Sequence, residues 1–135
     1  MAVPNQVVSR GYSFEPFKFT YYVSGSVTAD DVGKAVALDT TAANTVKLAG
    51  DNDIIFGRLE TFEDRAVLGV KVGTVARKFK DIVPYTGTAP TIGQSVTGSA
   101  TAGVVKVATS QDITDNRVVE TLTINSVNYA VVEKL

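Results

Sequence analysis

Apolar residues along this chain recur at every second position in short runs, and no window carries the spacing of an amphipathic helix. From Lys34 to Leu38 the side chains Val36 and Leu38 share a face. From Thr45 to Ala49, Val46 and Leu48 share one, with Lys47 opposite. The turn-forming run Asp39 to Asn44 lies between, so the pattern predicts a β-hairpin. A second stretch echoes it. Gly33-Lys34-Ala35-Val36 leading to Val46-Lys47-Leu48-Ala49 is matched by Gly93-Gln94-Ser95-Val96 leading to Val105-Lys106-Val107-Ala108. The echo means two related hairpins in one barrel, or two strand pairs answering the same packing demand. Two copies do not make a solenoid.

Further along, Asp51-Asn52-Asp53 is a polar turn, and Leu68, Val70 and Val72 alternate with Gly69 and Lys71. Gly73 breaks that run, and Val75 and Phe79 take the other parity, which predicts a bulge or a barrel corner. Pro84, Gly87 and Pro90 punctuate a loop. At the C-terminus, Thr121 to Ile124 and Val127 to Val132 flank the two-residue turn Asn125-Ser126. That register sets Ile124 against Val127 and Leu122 against Tyr129 on one face.

The first 27 residues differ. Tyr12, Phe14, Phe17, Phe19, Tyr21 and Tyr22 crowd into one short span, and Pro16 argues against a central strand there. One reading makes the segment a first strand that helps to close the core. The other makes it an arm laid on a partner, since aromatic side chains anchor interfaces. The resulting expectation is an all-β protein: residues 28–135 as a single small β-barrel or β-sandwich, and residues 1–27 as an extended N-terminal arm or first strand.

Composition narrows the chemistry. At 135 residues the chain is long enough to bury one core without covalent staples. It has no Cys, so neither a disulfide framework nor a thiolate zinc site can form, and this fits synthesis in a reducing cytoplasm. It has no His, which removes the commonest general base and transition-metal ligand. Thirteen Lys and Arg against 14 Asp and Glu give a net charge of -1, unlike a dedicated nucleic-acid binder. No apolar run approaches the ~20 residues of a membrane-spanning helix, and the residues after Met1 lack the charged and apolar regions of a signal peptide.

Candidate motifs fail one after another. Gly33-Lys34 lacks the glycine and the following Ser or Thr of a phosphate-binding loop. Gly93-Gln94-Ser95-Val96-Thr97-Gly98 misses the nucleophile-elbow spacing, and no His exists to activate the serine. Asp51-Asn52-Asp53 begins like a calcium loop, but Ile55 stands at the next ligand position. Arg10 to Phe17 approximates an RNA-recognition signature, with Glu15 where Val belongs and Pro16 inside the strand. Glu60, Glu63 and Asp64 around Phe62 read as a solvated turn, not as an acid–base pair. No catalytic residue, cofactor or metal is expected. The basic concentration Arg77, Lys78 and Lys80 around Phe79 is either a polar strand face or a patch that meets an acidic neighbour.

The order of these segments resembles the small capsid decoration or cement proteins of tailed bacteriophages. The carrying residues are Gly33-Lys34-Ala35-Val36, Val46-Lys47-Leu48-Ala49-Gly50-Asp51, Phe56-Gly57-Arg58-Leu59, Val72-Gly73-Thr74-Val75, Tyr85-Thr86-Gly87, Gly93-Gln94-Ser95-Val96 and Val105-Lys106-Val107-Ala108, spanning Asp31 to Ala108. The resemblance implies a compact β domain on the capsid exterior that bridges major capsid protein subunits and works by contact, without catalysis. It would be made in the host cytoplasm, act as a dimer or trimer, and bind neither nucleic acid nor membrane. Tyr12, Phe14, Phe17, Phe19, Tyr21, Tyr22, Arg77, Lys78 and Lys80 are the expected partner-binding residues, inferred from chemistry and not from the family pattern. A tail or baseplate module, or a carbohydrate-binding virion module, is the alternative.

Overall fold

The structure, a computed structural model, describes residues 17–135. It is all-β, with nine strands and two single 3-10 turns among the described residues. The strands are β1 (Phe17–Val23), β2 (Ala35–Leu38), β3 (Thr45–Leu48), β4 (Gly57–Arg65), β5 (Val70–Pro84), β6 (Val96–Gly98), β7 (Val105–Val107), β8 (Asn116–Ile124) and β9 (Val127–Lys134).

Their pairing closes two rings. In the first, β1 pairs with β3 in parallel and with β5 antiparallel, while β3–β2, β2–β4 and β4–β5 complete the circuit. In the second, the latter half of β5 pairs with β9, β9 with β8, and β6 with β7. Val118 at the start of β8 exchanges bonds with Gly93 and Gln94 ahead of β6 (2.8 and 2.8 Å), and a Tyr85–Val105 bridge joins β7 to the end of β5. The 15-residue β5 is therefore shared. Its first half closes one small barrel and its second half opens the next.

The two barrels are copies of one plan. Gly33 and Gly93 stand at φ +95 and +93 and donate to Leu59 and Val118. Leu59 and Val118 donate back to Lys34 and Gln94. The hairpins share a register: Val36 faces Leu48 as Val96 faces Val107, and Ala49 donates to Ala35 as Ala108 donates to Ser95. The hairpin irregularities correspond too, although the slip between Phe17 and Lys18 has no counterpart between β5 and β9. Glu60 is passed over between Leu59 and Thr61, and Val119 between Val118 and Glu120, so each long hairpin carries a bulge at the same place. The echo between the two hairpins thus extends to whole modules, β1 to early β5 and late β5 to β9. In that equivalence Phe17-Lys18 corresponds to Phe79-Lys80.

The cores follow the plan. Val23, Val36, Val46, Leu59 and Val75 fill the first barrel, with Tyr21 packed against them. Their counterparts Tyr85, Val96, Val105, Val118, Val132 and Val83 lie in the second cluster. That cluster also takes in Ala35, Ala37, Ala49 and Ala76 from the first module, so the small outward side chains of one barrel seal the end of the other, over Phe79. β2 consequently buries both faces, Val36 inward and Ala35 and Ala37 toward the neighbour. The β6–β7 tip is sewn to the first module by backbone bonds. Gly98 donates to Asp53 and accepts from Asn52, and Gly103 donates to Ala49 and accepts from Ala35, at 2.9 to 3.0 Å. No side chain would fit at Gly98, where a Cβ would lie 2.1 Å from the Gly50 carbonyl oxygen. Arg58 adds a side-chain tie: its Nε donates to the Ile82 carbonyl (2.8 Å), and Nη1 pairs with Glu60 (2.5 Å) and Asp81 (3.3 Å).

Two local expectations change. β5 runs unbroken through Gly73, and the irregular register falls instead at Glu60 opposite it and at Arg77, which has no partner on β1. Leu68 belongs to the 3-10 turn Ala66–Leu68, not to the strand. The first has a plain cause: parity along a single strand does not reveal which of two paired strands carries the extra residue.

Candidate functional site

Residues 17–23 form a strand bonded to β5 along its length and to β3 only at Tyr22 and Val23. Tyr21 and Val23 turn into the first barrel, yet Phe17 (40% exposed), Phe19 (53%) and Tyr22 (47%) remain at the surface. Tyr12 and Phe14 lie outside the described residues.

The aromatic strand and the basic stretch meet. Because the register slips at Arg77, Lys78 comes opposite Phe17, and its ammonium sits 4.5 Å from that ring's centre. The Arg77 guanidinium stacks 3.6 Å above the Phe56 ring and donates through Nε to the Phe56 carbonyl at 2.7 Å. Phe56 in turn meets Tyr21 edge-on, with centroids 5.4 Å apart. Tyr21, Phe56 and Arg77 thus form one stack, and Phe17 and Lys78 form a pair on the adjoining residues, with Phe19 exposed two residues along the strand; Tyr22, on the other side of that strand, lines a groove with Gly69, Val70 and Lys71 instead. Each cation–π pair contributes roughly 0.5–1 kcal/mol while exposed and more once a partner excludes water. Lys80 stands apart, opposite Glu133 of β9. Phe56 escaped the sequence reading because its role depends on Arg77, 21 positions away.

The other candidates are satisfied internally. Ser95 is fully buried, and its hydroxyl donates to the Ile113 and Asn116 carbonyls, so it is a structural crosslink. Glu60 pairs with Arg58, and Glu63 with Arg65 across 3.0 Å. The Arg65 hydrogen bond holds the Glu63 carboxyl below its ordinary range, the opposite of what a general acid needs. In the polar turn, Asn52 takes positive φ, and the Asp53 carboxylate accepts from Gly50 N–H at 2.8 Å. Among the described residues no carboxylate cluster could hold a metal ion, and no helix is long and apolar enough to cross a membrane. A groove of about 390 Å³ between the modules includes Lys34, Arg58, Pro84 and Tyr129 in its lining, but Lys34 is paired with Asp31 and Arg58 with Glu60 and Asp81.

No protein-family model matches the chain, and a search of curated proteins finds no match.

Proposed function

We propose that this chain is a virion structural protein that binds the outside of a tailed-phage capsid and reinforces the expanded shell by contact across major capsid protein subunits. The observation that carries this reading is the group of aromatic and cationic side chains where β1 meets β5: Phe17 and Phe19 exposed on a strand held in a barrel wall, with Lys78 over the Phe17 ring and Arg77 next to it over the Phe56 ring. A cement needs preorganised area, and aromatic and cationic side chains fixed by β-ladders lose little freedom on docking. A specific interface of this kind buries on the order of 1,200–2,000 Å² in total. A ligand that binds only the assembled shell stabilises it by mass action.

A dimer or trimer would multiply such contacts through effective concentration. The hairpin tips offer a separate surface for sister copies, with Val67 and Leu68 exposed between β4 and β5, and Ile124 and Val127 between β8 and β9.

The test is co-sedimentation of the full chain with expanded shells built from the major capsid protein of its own phage, followed by thermal melts of those shells. Saturable binding and a raised shell melting temperature are expected. A chain that stays in the supernatant, or that decorates shells without raising their melting temperature, refutes the reading. Strong glycan-array binding with no shell binding would point to the carbohydrate-binding alternative.

A further inference from the structure

The internal duplication shows what kind of surface fits the exposed face, because the second module carries the same positions already covered. Phe79 is the counterpart of Phe17 and is only 7% exposed, packed in one cluster with Ala35, Ala37, Ala49 and Ala76 of the first module. Asp81 is the counterpart of Phe19 and pairs with Arg58 of the first module at 3.3 Å. Lys134 corresponds to Arg77, and Asp115 to Phe56. Where Arg77 lies over a ring, Lys134 meets a carboxylate at 3.3 Å. Among the described residues no carboxylate lies within ion-pair distance of Arg77 or Lys78.

We infer that the Phe17, Phe19 and Lys78 face docks on a foreign protein surface that offers Phe17 a sheet face of small side chains, as the first module offers Phe79, and that supplies the carboxylates which Arg77 and Lys78 lack among the described residues. The inference rests on the shell-binding reading and specifies the patch on the capsid subunit that this face would meet.

A second copy of the chain fits poorly. Two-fold pairing would set Lys18, Arg77 and Lys78 of one copy against the same cations of the other. Head-to-tail stacking meets a built stop at the far end. There Ser95, Thr97 and Glu133 stand at the places of Ala35, Ala37 and Ala76: Ser95 and Thr97 are buried, Ser95 being bonded to Gln111, Ile113 and Asn116 of its own module, and Glu133 is exposed. The backbone slot is also filled. Gln111 accepts from Ser95 N–H through Oε1 (2.8 Å) and donates to the Ala108 carbonyl through Nε2 (3.0 Å). These are the counterparts of the groups on Ala35 and Ala49 that hold the Gly103 peptide. The side-chain amide of Gln111 thus stands where the next module's peptide would sit. The first module's own tip carries Leu38 and Asn44 at the places of Gly98 and Gly103, so it lacks the close approach the slot requires.

The chain has no cysteine, so F19C in the full chain gives a single reporter. Maleimide should label it at the free-thiol rate in the unbound protein, independent of protein concentration, and labelling should fall at least about tenfold on shells. Separately, F17S/F19S and R77E/K78E should each weaken shell binding by about tenfold or more, and the charge variant should also lose salt sensitivity. Protection of F19C in the unbound protein at every concentration would mean that the chain's own segment covers the face. Protection that grows with concentration would mean a second copy. Either overturns the inference, as does unchanged reactivity on decorated shells or tight binding by both double variants. Wild-type protein that ignores shells altogether would instead sink the underlying reading, and this proposal with it.

Discussion

Replacing Gly98 with alanine tests the docking of the two modules at its tightest point. The new Cβ would sit 2.1 Å from the Gly50 carbonyl oxygen and 3.0 Å from the Ala49 Cβ. Neither obstacle can rotate away, since one is backbone and the other is fixed to it, so the β6–β7 tip must lift. Lifting breaks the four bonds that sew the tip down: Gly98 to Asp53, Asn52 to Gly98, Gly103 to Ala49 and Ala35 to Gly103. At a net ~1 kcal/mol each, the loss is about 4 kcal/mol, before any apolar surface of Ala35 and Ala49 is wetted. That is a large fraction of the ~5–15 kcal/mol that holds a domain of this size. Urea titration of wild type and G98A gives the difference directly, and amide exchange at Asn52, Gly98 and Gly103 reports whether the tip has come free. L38A is the control, because Leu38 occupies the equivalent place in the first hairpin, whose tip covers no neighbour; its cost should stay below about 1 kcal/mol. A G98A protein as stable as L38A, with those three amides still protected, would refute the claim that the tip is wedged against the first module.

Two further outcomes follow from the same geometry. Q111A strips partners from the buried Ser95 N–H and from the Ala108 carbonyl and should cost about 2 kcal/mol in a denaturant melt; a neutral substitution would mean that the amide plug holds nothing. At Asp31, burial acts to raise the pKa, but Thr28 N–H and the Lys34 ammonium outweigh it and hold the carboxyl below its ordinary 3.8. A depressed folded pKa contributes stability above the unfolded value and loses it as pH falls through the folded one. D31N should therefore be less stable than wild type at neutral pH, with the gap closing below pH 3.8. A gap that persists in strong acid would assign the effect to packing.

The sequence by itself determined the strands, because side chains alternate across a pleated backbone and one buried face imposes period two on the residues that make it. The C-terminal hairpin was legible to the register: Asn125 and Ser126 both adopt positive φ, and Ile124 meets Val127 and Leu122 meets Tyr129. The paired hairpins were legible too, through Lys47 and Lys106 between their apolar neighbours. Tertiary structure alone decided that the copies extend to entire barrels sharing β5. Equivalent positions there hold Ala35, packed against the second module, and Ser95, buried and bonded within its own module. It alone brought Phe56 to Arg77, and brought Phe17 to Lys78 through a register slip that single-strand parity cannot locate. Local patterning records which side of a strand is dry. Which surface does the drying depends on residues far away in the chain.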